Sequence, residues 1–170
     1  MKIKTSLFLA FGVIKLLIHF IGNQNYGYHR DELLHLACGE HLAWGYVEFP
    51  PFIAWLASLS HVLFDASLGG TRLFATLAGL GILWIVLSIA EELGAEWRGM
   101  LIAGICVLAF LPFYRNHTLF QPVAFDQFFW TLAFYFLLRY LRLENWTSLV
   151  GLAVAVGLGL LNKYTRNEVV

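Results

Sequence analysis

Five apolar runs, separated by short polar stretches, take up most of this 170-residue chain. They are Ser6–Gly22, Leu68–Leu93, Met100–Phe113, Val123–Leu143 and Leu149–Leu161. An α-helix needs about 20 mainly apolar residues to cross the hydrocarbon core of a bilayer. One run exceeds that length, and flanking residues can extend the shorter ones. We therefore predict an all-α, polytopic integral membrane protein, a single domain over residues 1–170 with about five transmembrane helices.

Composition supports this class and excludes others. The chain is 59% hydrophobic and only 13% charged, and a soluble domain with these proportions would expose too much apolar surface. Eleven basic residues balance eleven acidic ones, so no field for binding nucleic acid is expected. Cys38 and Cys106 fall in different predicted helices. We expect them to be small buried apolar residues rather than a disulfide or metal ligands.

The first apolar run predicts an uncleaved span rather than a signal peptide. It has no small-residue cleavage site, and it carries Lys15 and His19. An N-terminus in the cytoplasm satisfies the positive-inside rule, because more basic residues then lie inside than outside. The inside set is Lys2, Lys4, Arg98, Arg139 and Arg142, against Arg30, Arg115 and Lys163 outside.

This orientation places the polar connection over residues 23–67 on the external side. Part of it reads GYHRDELLHLACGEHLAWGYVEFPP, which carries four carboxylates, three histidines and an arginine. Its periodicity predicts a helix over Asp31–Trp44, capped by Asp31 and ended by Gly45. The paired prolines then open a second helix over Phe52–Phe64. Both helices are expected to lie along the membrane surface.

Six of the eleven acidic residues fall on this external side. They are Asp31, Glu32, Glu40, Glu48, Asp65 and Asp126. Glycosyl transfer needs a base to remove the acceptor proton and a cation to hold the departing phosphate. Asp31, next to Glu32, suits the base, and Lys163, Arg30 or a carboxylate-bound divalent metal suits the cation. The residues alone leave a second interpretation open, in which the acidic pair at a helix start is only a cap.

Other functions are also compatible with these residues. The carboxylates could bind cations in a small transporter or a non-catalytic membrane scaffold. Glu32 and His35 have the i, i+3 spacing of metal sites in helical bundles, which would suit a membrane metal enzyme. Lys15 is expected to snorkel outward or to meet a carboxylate. Arg72 and Arg115 are expected to touch lipid phosphates or to act as interfacial anchors.

Four segments carry a resemblance to a known family. GYHRDELLHLACGEHLAWGYVEFPPFIAWLA, TRLFATLAG, AFDQFFWTL and GLGLLNKYT stand in the order found in bacterial membrane proteins of glycosyltransferase family 39. The chain resembles the protein O-mannosyltransferases and lipid A aminoarabinose transferases of that group. The resemblance covers about residues 15 to 165, and its most specific part is RDEL followed by HLAWGYV and the two prolines. It implies the multi-span C-type glycosyltransferase fold.

The resemblance also implies an activity and its residues. It implies a sugar donor carried on polyprenyl phosphate, inversion at the anomeric carbon, and a protein, glycan or lipid acceptor at the external face of a bacterial plasma membrane. Asp31 matches the catalytic base and Glu32 its motif partner. The resemblance also matches Glu48, Asp126 and Lys163 to site residues. Further substrate-binding candidates are Arg30, as a cation for the phosphate, and Trp44 and Tyr46, as walls of a groove for the prenyl chain. A divalent metal would take Asp31, Glu48 and Asp126. Trp44 and Tyr46 equally suit an aromatic belt at the interface.

One position and the chain length depart from the family pattern. Relatives acting on lipid A have a lysine directly before the two prolines, where this chain has Phe49. The phosphate contact of that lysine is therefore not expected here, nor is a lipid A acceptor. Relatives usually continue through further spans, so we expect the 170 residues to be an N-terminal fragment that is inactive alone or needs a partner chain.

Overall fold

The structure, a computed structural model, describes residues 2–23 and 27–163. Within these ranges all regular secondary structure is helical, which confirms the predicted all-α class. The helices, in chain order, are α1 (Lys2–Gly22), α2 (Arg30–Glu40), α3 (Phe52–Phe64), α4 (Leu68–Glu92), α5 (Trp97–Ala109), α6 (Leu111–Asn116), α7 (Pro122–Leu143) and α8 (Trp146–Asn162).

The long helices alternate in direction. Lys4, near the start of α1, pairs with Glu91 at the end of α4 at 2.6 Å, so these helices are antiparallel. Arg139, near the end of α7, pairs with Glu92 at 3.3 Å, so α4 and α7 run the same way. Asn162, at the end of α8, donates to the carbonyl of Pro122 at the start of α7 over 2.8 Å. This up-and-down order is the one that successive membrane crossings would give.

Two of the helices, over Ile3–Gly22 and Leu68–Glu92, are long and apolar enough to cross a membrane. The apolar helices α3, α5 and α8 are shorter. The predicted third span is not continuous, because α5 ends at Ala109 and α6 begins at Leu111, with Pro112 in its first turn. Proline has no backbone N–H to donate to the carbonyl four residues before it, and its ring clashes with that carbonyl, which accounts for the break at Phe110.

Helices α2 and α3 pack closely at the end of the bundle where α1 and α8 end and α4 and α7 begin. A Cβ atom on Gly39 would lie 2.7 Å from both the Cβ atom of Ala57 and the amide nitrogen of Ser58. Only glycine allows this approach, because backbone atoms of α3 cannot move aside cheaply. Helix α3 has the predicted bounds, Phe52–Phe64.

The predicted ends of α2 are wrong. The helix ends at Glu40, with His41 as its C-cap, and not at Trp44 before Gly45. The Tyr46 hydroxyl lies 2.9 Å from the carbonyl oxygen of Cys38 and accepts the amide N–H of Ala43, which folds the loop back on the helix end.

At the other end of α2 the N-cap is His29, and Asp31 lies in the first turn. The His29 ring accepts the amide N–H of Asp31, and the Glu32 carboxylate accepts the amide N–H of His29, which makes a reciprocal capping box. The sequence prediction missed it because histidine is not among the usual capping residues.

The burial of the two cysteines matches the prediction only in part. Both are free thiols, with Cys38 half-buried and Cys106 exposed on α5. Cys106 lies in an open apolar depression with Val86, Val107 and Phe110. The prediction that Cys106 is buried is therefore wrong for this chain, although the residues around its thiol are apolar.

Candidate functional site

A polar cavity of about 360 Å³ lies where α2, the loop before α3, the start of α7 and the end of α8 meet. Three predicted site residues, Asp31, Glu48 and Lys163, line it together. Its remaining polar lining comes from His35, Gln121 and Asn162, which the sequence prediction did not assign to the site. The fold thus brings side chains from positions 31 to 163 to one cavity at one end of the bundle.

Asp31 is half-exposed at the wall of this cavity. Its Oδ2 atom accepts a hydrogen bond from the Gln121 amide at 3.1 Å and lies 3.6 Å from His29 Nδ1. Its Oδ1 atom faces Arg30 Nε at 3.4 Å, and the Arg30 side chain is 92% exposed. Such an exposed pair contributes little stability, so Oδ1 is open to an incoming hydroxyl.

Glu32 is completely buried beside Asp31. Arg72 donates from Nε to Oε1 at 2.9 Å and from Nη2 to Oε2 at 2.7 Å. The backbone N–H groups of Phe120 and His29 donate to the same carboxylate at 2.8 and 2.7 Å. Both carboxylate oxygens of Glu32 therefore already accept hydrogen bonds within the protein, and this geometry suits a group that positions its neighbours. Direct participation of Glu32 in catalysis stays a prediction.

Two groups at the site have shifted pKa values. Burial raises the pKa of Glu32, but the hydrogen bonds from Arg72 and from the backbone of Phe120 and His29 outweigh it and lower the net value. Burial lowers the pKa of His35 to about 4, against a smaller opposing effect of the Asp31 and Glu32 charges. At neutral pH the site therefore holds a charged Glu32 and a neutral His35 imidazole.

Lys163 links the polar cavity to an apolar groove between α7 and α8. The groove is lined by Phe129, Trp130, Ala133, Ala155, Val156, Gly159 and Leu160, with Lys163 at its end. Asp126, one turn into α7, interacts electrostatically with Lys163 and accepts a hydrogen bond from Trp130. Asp126 is therefore close enough to Lys163 for their charges to interact, but it is not part of the cavity lining with Asp31 and Glu48.

The two predicted aromatic residues differ in their surroundings. Trp44 is 88% exposed, and its ring meets Trp55 edge to face at 5.8 Å between centroids. Tyr46 stacks on Phe49 at 5.1 Å, and its hydroxyl closes the loop after α2. The Tyr46 hydroxyl is thus used within the chain, whereas Trp44 remains free to contact a lipid or a substrate.

The predicted metal ligands do not fit a metal centre. In the part of the chain that the structure describes, no three His, Cys, Asp or Glu side chains are close enough together to hold an ion. Asp31 and Glu48 line one cavity, while Asp126 is not part of that lining and interacts electrostatically with Lys163. Glu32 and His35 are not a metal pair either, because Arg72 occupies the Glu32 carboxylate.

Two basic residues have partners that the sequence did not indicate. Arg72 neither touches a lipid phosphate nor anchors at an interface, since it forms the buried ion pair with Glu32. Lys15 neither snorkels outward nor meets a carboxylate, and its Nζ atom lies 2.9 Å from His117 Nδ1 in a buried contact. Both corrections have the same cause, a partner that is 40 or more residues away in sequence and comes close only in the fold.

Gln121 and Asn162 could have been noticed from the sequence. Gln121 directly precedes the proline that begins α7, and Asn162 directly precedes Lys163 at the end of the last apolar run. A polar residue at the boundary of an apolar helix is often a cap or an anchor, so this signal alone would not have assigned either one to a site.

Polar and ionisable groups gathered at one end of an apolar helical bundle are typical of a membrane-associated protein with its functional site at that end. The comparison with known families is more specific. The model of the dolichyl-phosphate-mannose-protein mannosyltransferase family matches residues 48–169, and the chain belongs to this family. Membership implies a glycosyltransferase of the mannosyltransferase type in a membrane-associated family. No curated protein and no solved structure matched the chain.

The matched range contains some of the site residues and not others. Glu48, Asp126 and Lys163 fall inside residues 48–169, whereas Asp31 and Glu32 precede them. The family match therefore supports the assignment of Glu48 and Lys163 to the site. The assignment of Asp31 to the site is supported by its position in the cavity lining.

Proposed function

We propose that this chain is a polytopic membrane glycosyltransferase that moves a sugar from a polyprenyl-phosphate donor to an acceptor hydroxyl or amine on the external side. Asp31 is the general base. The observation that carries this proposal is the cavity that joins a half-exposed carboxylate, Asp31, to a lysine at the end of an apolar groove. A lipid-linked sugar phosphate needs these three features together.

The donor occupies the side of the cavity that Lys163 lines. The prenyl chain lies along the groove between α7 and α8, whose lining is almost wholly apolar. The phosphate sits at Lys163, because a lysine ammonium is a compact point charge that suits phosphate oxygens. The sugar then extends from Lys163 into the cavity lined by Asp31 and Glu48.

The reaction follows from this placement. Asp31 takes the proton of the acceptor hydroxyl as its oxygen attacks the anomeric carbon. The bond between that carbon and the phosphate oxygen breaks, and polyprenyl phosphate leaves with the bonding electrons. Lys163 stabilises the negative charge that develops on the leaving phosphate. A single displacement of this kind inverts the anomeric carbon.

The membrane arrangement is part of the proposal. Apolar side chains are exposed along the outer faces of the long helices, including Leu9, Val13 and Leu17 on α1 and Trp130 and Phe134 on α7. Lipid tails would cover these faces. With the N-terminus in the cytoplasm, the five long elements α1, α4, α5 with α6, α7 and α8 cross the plasma membrane in turn. The cavity then opens on the external side.

The test is sugar transfer in membranes of the cells that naturally make this protein, so that any partner chain that the activity needs is present. Radiolabelled mannosyl polyprenyl phosphate is supplied, and wild type is compared with Asp31→Asn at matched protein levels. Glu40→Gln is the control, because it removes an exposed carboxylate from the same helix. We expect transfer to be lost in Asp31→Asn and kept in Glu40→Gln. Equal transfer by wild type and Asp31→Asn would rule out Asp31 as the base.

A further inference from the structure

Among the contacts of the described residues, Gln121 is the one residue outside α2 and its cap whose side chain is hydrogen-bonded to Asp31. Its amide nitrogen lies 3.1 Å from Asp31 Oδ2 and 3.5 Å from His29 Nδ1. The orientation of the amide follows from chemistry, because an ionised carboxylate only accepts hydrogen bonds and so faces the NH₂ group. The Gln121 amide thus holds Oδ2 and leaves Oδ1 facing the exposed Arg30.

The backbone on both sides of Gln121 is fixed by buried polar groups. Before it, the amide N–H of Phe120 donates to Glu32 Oε1 at 2.8 Å. After it, the carbonyl of Pro122 accepts a hydrogen bond from Asn162 at 2.8 Å. Glu32, Asn162 and the Phe120 ring have no exposed surface. Breaking either anchor would leave a buried polar group unpaired, so the position of Gln121 is strongly determined.

We propose that Gln121 is the positioning residue of the base, which holds the Asp31 carboxylate with Oδ1 toward the acceptor. This inference rests on the proposed function. It also gives Glu32 and Asn162 a role, since these buried groups fix the segment that carries Gln121. An amide does not take up protons near neutral pH, so Gln121 cannot replace Asp31 as the base.

Loss of the amide has a measurable effect on the reaction. The carboxylate becomes free to rotate, and misplacement of a reacting group by about 1 Å can cost a factor on the order of 100 in rate. Donor binding at Lys163 is left intact, so the loss falls on kcat and not on KM for the donor. A role limited to folding would lower the amount of active protein and leave kcat per active molecule unchanged.

The experiment uses the full chain in the same native membranes with radiolabelled mannosyl polyprenyl phosphate. Gln121→Met keeps the length of the side chain without the hydrogen-bond donor, and Gln121→Glu places a second carboxylate beside Asp31. Gln127→Met is the matched control, because it removes an amide from α7, the helix that Gln121 precedes, and that amide faces His117 instead of Asp31. Initial rates are measured against donor concentration, with protein levels matched.

We expect Gln121→Met to lower kcat by a factor of about 10 to 100 with KM for the donor nearly unchanged. Gln121→Glu should lower kcat at least as far, because a second carboxylate repels the Asp31 carboxylate. Values of kcat and KM for Gln121→Met that match those of Gln127→Met would overturn the inference and leave the proposed function standing. Absence of Asp31-dependent transfer in wild type would instead overturn the proposed function, and this inference with it.

Discussion

The Glu32 carboxylate shows how a single buried charge organises this end of the molecule. It accepts two hydrogen bonds from Arg72 and one each from the backbone of Phe120 and His29. Loss of one partner from a buried ion pair typically costs about 3 to 5 kcal/mol, because the remaining charge stays uncompensated. The carboxylate joins α2, α4 and the segment before α7, which are the elements that carry Asp31 and Gln121.

His35 gives the stability of the protein a predictable dependence on pH. Burial lowers the pKa of His35 to about 4, from an ordinary value of 6.5, so the folded state resists its protonation. The unfolded chain therefore binds more protons as pH falls below 6.5, and the free energy of unfolding decreases toward pH 4. The shift corresponds to a loss on the order of 3 kcal/mol. Thermal unfolding in detergent between pH 7.5 and 4.5 would measure it.

The control variants separate His35 from other titrating groups. His35→Phe keeps an aromatic ring against Phe49, which His35 meets edge to face at 4.9 Å. The variant should reduce the pH dependence without abolishing it, because burial also lowers the pKa of His117, to about 3. Replacement of the exposed His41 by phenylalanine should leave the pH dependence of the free energy of unfolding unchanged. Glu32 adds a loss only below its ordinary value of 4.5, because its folded pKa is lowered. An unaltered slope in His35→Phe would refute the prediction.

The groove between α7 and α8 depends on small residues in α8. A Cβ atom on Gly159 would lie 3.4 Å from the Phe129 Cβ atom, at ordinary to slightly tight contact, so a larger side chain there would project into the groove. We predict that Gly159→Leu blocks donors with long prenyl chains and spares donors with short ones. The variant should lose about tenfold or more in kcat/KM for the long donor, since several buried CH₂ groups each contribute about 0.8 kcal/mol. Competition between long and short donors in one assay measures this.

Gly157 provides the matched control for this prediction. It is two residues away in the same helix, and a Cβ atom there would meet nothing within 4 Å. Gly157→Leu should therefore keep the wild-type ratio of long to short donor. If Gly159→Leu lowers transfer from both donors equally, the prenyl chain does not use the groove between α7 and α8.

At the scale of the whole molecule, the sequence predicted the positions of the helices more accurately than the side-chain contacts between them. The apolar runs located every long helix, and the paired prolines located the start of α3, because these signals are local. The contact of Lys15 with His117 and the ion pair of Glu32 with Arg72 join residues 102 and 40 positions apart. No periodicity encodes such pairs. The groove has the same origin, since it exists only once α7 and α8 pack together.

The fold distinguishes Asp31 from Glu32, which local sequence patterns could not do. Composition and spacing left the acidic pair at residues 31 and 32 as either a cap or a catalytic group. The fold separates them, since Asp31 faces a cavity with Lys163 and Glu32 is buried against Arg72. Two adjacent residues of a helix point in different directions, so their different surroundings follow from helical geometry.

The orientation of the molecule in the membrane can be tested with single cysteines. After Cys38 and Cys106 are replaced by alanine, Val47→Cys places a thiol in the loop between α2 and α3, and Leu93→Cys places one in the turn between α4 and α5. Both positions are exposed, and they lie at opposite ends of the bundle. With the N-terminus in the cytoplasm, a membrane-impermeant maleimide should label intact cells at Val47→Cys and should label Leu93→Cys only after permeabilisation. The reverse pattern would invert the proposed topology, and labelling of both in intact cells would contradict a membrane crossing by α4.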